Sequence, residues 1–158
     1  MKKISLEFED IIGRYFNLKV KKHNYRIYVE EAGKGTPLLC LHTAGSDGRQ
    51  FRHILNDKKI TDNYRVIVFD LPWHGKSNPP EGYELNDYKL TTNLYKQIIM
   101  SFCKQYKLES PVIMGCSMGG RVVLHLALEQ SNYFKAVIAL EGADKLEPYY
   151  DLDWLYRP

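Results

Sequence analysis

The sequence predicts an α/β fold, a mostly parallel twisted sheet with helices on both faces. Three observations carry that expectation. Short apolar runs alternate with stretches of helical periodicity, the order that places crossover helices between parallel strands. Two early segments alternate apolar and polar residues with a period of two, as a hairpin does. The run Pro111-Val112-Ile113-Met114-Gly115-Cys116-Ser117-Met118-Gly119-Gly120 passes from a buried strand through G-x-S-x-G into an apolar helix.

The elements follow in chain order. Phe16, Leu18 and Val20 alternate, and Tyr25, Ile27 and Val29 do so after a turn expected at His23-Asn24. Strands are expected over about 38–42, 65–70, 111–115 and 135–140. Between them lie a short helix carrying Phe51, Ile54 and Leu55, and a longer one with Leu90, Leu94, Ile98 and Phe102 four residues apart. After Ser117, the residues Met118, Val122, Val123, Leu126 and Ala127 share one helical face. In sheets of this kind a ligand site lies outside the carboxyl ends of the strands. Residues 1–158 show no internal repeat, low-complexity tract or interdomain linker, and the length fits one domain.

Composition narrows the function classes. The net charge of +3 is spread along the chain without a dense Lys/Arg block, so no nucleic-acid partner is expected. Lys19, Lys21 and Lys22 read as a solvated strand end and hairpin turn. No apolar run approaches the ~20 residues of a membrane span. Met1-Lys2-Lys3 leads into Glu7, Glu9 and Asp10 rather than an apolar signal core, so a cytoplasmic chain with no membrane contact is expected. Cys40, Cys103 and Cys116 are odd in number and lack metal-ligand spacing, which predicts reduced thiols and no metal.

Ser117 is the candidate nucleophile. A serine hydroxyl is a weak nucleophile, so it must be held clear of its own backbone, offered to a base, and placed where free N–H groups meet a developing oxyanion. A sharp strand-to-helix bend does this. Gly115 and Gly119 lack a Cβ and let strand and helix approach closely, while the Met118 N–H opens a helix whose dipole favours negative charge. Cys116 is turned away by the same bend that exposes its neighbour. Asp70 ends its strand beside the site and is read as bracing the following turn.

This segment resembles the nucleophile elbow of the α/β-hydrolase fold family. Two upstream segments agree: Leu38-Leu39-Cys40-Leu41-His42-Thr43-Ala44-Gly45, and Val66-Ile67-Val68-Phe69-Asp70-Leu71-Pro72-Trp73-His74-Gly75-Lys76-Ser77, which is similar to the family's D-x-P-G-H-G-x-S. The family's usual His-Gly is His42-Thr43 here, and Trp73 stands where glycine is more usual. The resemblance covers about residues 16–142. It implies a serine hydrolase acting on a small-molecule carboxylic ester or similar acyl bond, without a cofactor, with Ala44 giving the second oxyanion N–H. It further implies that His42 and His74 brace their loops, and that Glu141 and Asp144 stand where some relatives carry the triad acid. A carbon-carbon bond hydrolase, an acyltransferase or perhydrolase on the same scaffold, and a non-catalytic binding protein are the alternatives.

The family's triad runs Ser, then Asp or Glu, then His, the last two after the seventh and eighth strands. This chain has six by count, and no histidine follows His125. That residue lies eight positions beyond Ser117, about 12 Å along the helix axis at ~1.5 Å per residue, and points away. His23 and His53 read as surface residues. The resemblance therefore implies a fold truncated after about the sixth strand, an amino-terminal part that is inactive alone, with 1–15 as a leader and 143–158 as the start of a cap or linker. The alternative is a minimal relative that works without the usual base. An open sixth strand would lead to self-association or to association with the missing carboxyl-terminal part.

Overall fold

The computed structural model describes residues 8–85 and 88–142. Strands β1 (Ile12–Val20) and β2 (His23–Ala32) form an antiparallel hairpin. Val20 pairs with His23, so the turn is Lys21-Lys22, two residues earlier than the alternation predicts. Lys21 takes the left-handed conformation there (φ 53°), which closes the hairpin before His23 can belong to the turn.

Strand β3 (Thr36–Leu41) follows, then a 3-10 turn (Gly48–Phe51) and two short helices, α1 (Arg52–Asn56) and α2 (Lys58–Thr61). The single short helix expected around Phe51 is broken at Asp57. This residue is extended (ψ 109°), and its carboxylate accepts from the Lys59 N–H at 2.9 Å, so it caps a new helix. Next come β4 (Tyr64–Phe69), α3 (Thr92–Gln105), β5 (Val112–Cys116), α4 (Met118–Glu129) and β6 (Ala136–Leu140). Helix α3 starts two residues after Leu90 because the Thr91 hydroxyl accepts from the Leu94 N–H at 3.1 Å.

The sheet order is β1-β2-β4-β3-β5-β6. The hairpin joins antiparallel through β2 and β4, while β4, β3, β5 and β6 are mutually parallel. Alternate residues of the central strands face two cores. Leu39, Leu41, Ile67, Phe69 and Ile113 pack under α3 and α4 with Ile98, Phe102 and Val123. Leu38, Cys40, Val66, Val68 and Met114 pack on the other face against Phe51 and Leu55. Each fully buried aliphatic or aromatic side chain contributes about 1.5–3 kcal/mol.

Strand β6 pairs with β5 alone among the described residues. Ile138 and Leu140 on it are 40% and 44% exposed, leaving apolar surface at that edge. Cys40 and Cys103 are buried free thiols, and burial pushes each up to about 12. Among the described residues no helix is long and apolar enough to cross a membrane. Ile12, within the expected leader, already belongs to β1. Residues 1–7 and 143–158, with Asp144 and the expected cap or linker, lie outside the described residues.

Candidate active site

The carboxyl ends of β3, β4, β5 and β6 share one edge of the sheet, because these strands are parallel neighbours. The segments that leave those ends carry His42, Ala44, Asp70, His74, Ser117 and Glu141. One topology thus gathers residues that are nearly one hundred positions apart in sequence.

Ser117 sits between β5 and α4 with φ 50° and ψ −109°, outside the regions an L-residue favours. It is exposed, whereas Cys116 and Met118 on either side are half-buried. Its hydroxyl makes no capping bond to the helix it precedes. Its N–H instead donates to the Leu140 carbonyl at 2.8 Å, and its carbonyl accepts from the Arg121 N–H at 2.7 Å. The backbone is therefore held at both ends while the side chain is left to solvent.

The glycines make the bend possible by letting backbones touch. A Cβ at Gly115 would collide with the Gly119 carbonyl, and one at Gly119 would lie 2.5 Å from the Leu41 oxygen of β3. At Gly120 the obstacle is Leu140 O at 2.6 Å. Helix α4 thus starts directly on the ends of β3 and β6. Met118 is its first residue, so its N–H has no acceptor within the helix.

Ala44 lies in an exposed turn after β3, closed by Ser46 N–H to Thr43 O at 3.3 Å. The Thr43 N–H is taken by Gln50 Oε1 at 2.9 Å. The Ala44 N–H is not engaged among the described residues. Gln50 has no counterpart in the sequence reading: it crosses seven residues of irregular loop, and no periodicity marks such a contact.

His42 is fully buried and ties two loops together. Its Nε2 accepts from the Leu71 N–H at 3.1 Å, which assigns the proton to Nδ1, and Nδ1 donates to the Thr43 carbonyl at 2.9 Å. Burial holds its pKa below the usual histidine value, His74 pushing in the same direction. Both ring nitrogens are occupied, so His42 as placed has no lone pair left for a serine proton. The His74 ring lies 5.1 Å from the His42 ring, and its Nδ1 donates to the Pro72 carbonyl at 3.0 Å.

Asp70 is 5% exposed and clamps the same loops. Its Oδ1 accepts from Gly48 N–H and its Oδ2 from Lys76 N–H, both at 2.7 Å, and its carbonyl accepts from the Ser77 hydroxyl at 2.7 Å. Gly75, left-handed at φ 51°, leaves room for that carboxylate. Nearby, the Arg49 guanidinium forks onto Asp47 and holds its carboxyl down at about 2.

Glu141 follows β6 directly, exposed and with φ 51°. Cys116 pairs with Leu140, so Ser117 and Glu141 are the next positions along two adjacent chain segments. His53 lies on α1 and His125 on α4, away from the bend. Among the described residues, no set of three or more His, Cys, Asp or Glu is grouped to hold a metal ion.

A family model for the alpha/beta hydrolase fold matches residues 36–157. The AB hydrolase superfamily protein YisY of Bacillus subtilis is 30% identical over 134 residues, covering 84% of this chain and 46% of that protein. The pimeloyl-[acyl-carrier protein] methyl ester esterase of Vibrio cholerae is 24% identical, over 75% of this chain and 42% of its own length. The crystal structure of epoxide hydrolase VrEH1 from Vigna radiata superposes with a TM-score of 0.72 at 20% identity, covering 93% of this chain and 46% of that one, and this likeness shows the fold alone. The chain spans less than half the length of each of these proteins.

Proposed function

The chain belongs to the alpha/beta hydrolase fold family, and on that premise we propose that Ser117 is the nucleophile of a serine hydrolase cleaving carboxylic esters or similar acyl bonds. The observation that carries this reading is the left-handed, exposed Ser117, whose backbone is bonded on both sides while its hydroxyl is left unclaimed among the described residues. Strain of that kind persists where the surrounding structure enforces it for a purpose.

In the proposed reaction Ser117 Oγ attacks the carbonyl carbon as a base removes its proton. The Met118 and Ala44 N–H groups hold the oxyanion as the tetrahedral intermediate forms. Collapse expels the alcohol, which receives that proton, and water then repeats the sequence to release the acid. Nucleophile, oxyanion donors and base are all protein groups, so the scheme requires no metal or organic cofactor. Glu141, beside the bend, is a candidate for the acid that orients the base. His42 and His74 are assigned to loop bracing, so the base is assigned to a part of the protein outside this chain.

A fluorophosphonate probe tests the nucleophile, and a panel of nitrophenyl esters of increasing acyl length then sorts the substrate. A covalent adduct on Ser117 in the full-length protein supports the enzyme. An inert Ser117 favours a binding protein built on this fold.

A further inference from the structure

Trp73 is the residue at which the loop after β4 departs most from what its backbone would choose. It has φ 67°, a left-handed conformation that disfavours a bulky side chain, and its N–H is fixed to the Asn78 carbonyl at 3.1 Å. Packing does not explain it, since the indole is 50% exposed. Nor does it stand alone. The Tyr83 ring meets it edge-on at 5.0 Å and 73°, with Tyr83 itself 40% exposed, and the Tyr88 ring lies 6.1 Å away at 37°.

Position connects this cluster to the candidate nucleophile. β4 and β5 flank β3, so the loop carrying Trp73 and the bend carrying Ser117 leave the same edge of the sheet, from strands two spacings or about 10 Å apart at ~4.8 Å each. The loop is held over that edge by the Leu71 N–H bond to His42 and by the Asp70 clamp.

We propose that Trp73, with Tyr83 and Tyr88, forms a subsite for a planar aromatic group, so that the preferred ester carries an aryl ring. The proposal rests on the reading of Ser117 as the reacting centre. Two rings set nearly perpendicular offer a third ring one face and one edge together, the arrangement aromatic quadrupoles favour. A saturated ring of the same size gains the area but not that geometry.

The test compares phenylacetate, cyclohexylacetate and betaine as ligands of the 158-residue chain, with dissociation constants from ligand-observed NMR, in wild type, Trp73→Leu and Trp73→Gly. Glycine suits the left-handed backbone, so that variant keeps the fold, and leucine keeps apolar bulk without the ring. The expected result is phenylacetate binding about 3- to 10-fold tighter than cyclohexylacetate, with the preference lost in both variants. Equal binding of the two, or tighter binding of betaine, overturns the aryl subsite. Methyl esters of the same two acids, given to the full-length protein, separate the two readings. Aryl preference in binding without ester turnover refutes the hydrolase and keeps the subsite, whereas turnover through Ser117 with equal kcat/KM for both esters does the reverse.

Discussion

The N–H of Ser117 donates to the carbonyl of Leu140 at 2.8 Å, so the bend that exposes the serine is anchored to the neighbouring strand and not only to its own. A strand-to-helix turn held this way cannot relax its central torsions without breaking a bond across the sheet. The strain at φ 50° is thereby kept in place.

Ser117→Gly removes the Cβ that makes those torsions costly and retains the N–H that is anchored. It should raise stability by about 1 kcal/mol, read as a higher urea midpoint, while abolishing any covalent labelling. Ser117→Ala keeps the strained Cβ and should lose labelling without the gain. A Gly variant no more stable than wild type would show the conformation to be unstrained.

Gly115→Ala and Gly119→Ala should each destabilise the fold. The added methyl meets the Gly119 carbonyl in the first case and Leu41 O at 2.5 Å in the second, and both obstacles are backbone. Overpacking of this kind costs about 1–3 kcal/mol or more. Thermal unfolding measures it, and a variant with unchanged Tm would contradict the close approach of helix and strand.

Stability should fall as pH drops below the ordinary histidine value of 6.5, through His42. Its folded-state pKa is depressed by burial, so the unfolded chain binds the proton first on acidification. The contribution is present above the unfolded pKa and is lost as pH falls towards the folded one. His42→Ala should lower stability at neutral pH, because the Leu71 N–H loses its acceptor and the Thr43 carbonyl its donor, and should flatten the slope between about pH 7 and pH 5.5. An unchanged slope would remove His42 as its source.

The 158-residue chain on its own should self-associate through β6. The outer edge of that strand is unpaired among the described residues, with Ile138 and Leu140 exposed and Leu128 on α4 81% exposed. Such edges pair with a second copy unless charge prevents it. Ile138→Lys should shift the chain towards monomer in size-exclusion chromatography with light scattering. A clean wild-type monomer at high concentration would refute the association.

Most of the sheet was legible because burial on both faces makes parallel strands read as apolar runs: Leu38–Leu41, Val66–Phe69 and Val112–Met114 all lie within observed strands. Boundaries moved where one residue's local chemistry intervened, as with the Thr91 cap of α3 and the Asp57 cap that splits the helices after Phe51. The sharp strand-to-helix bend at Ser117 was legible because glycines at fixed offsets from it answer a local steric demand. The Gln50 bond to Thr43 and the Leu140 anchor were not, since each joins groups brought together only by the fold. Trp73 could be seen as a departure in sequence, but its two aromatic neighbours come from a loop without periodicity.

Mass-spectrometric mapping of a fluorophosphonate adduct on the full-length protein tests the central claim most directly. The account predicts a single modified peptide carrying Ser117, with labelling and ester turnover both absent in Ser117→Ala. Turnover that survives in that variant, or an adduct at any other residue, would contradict it.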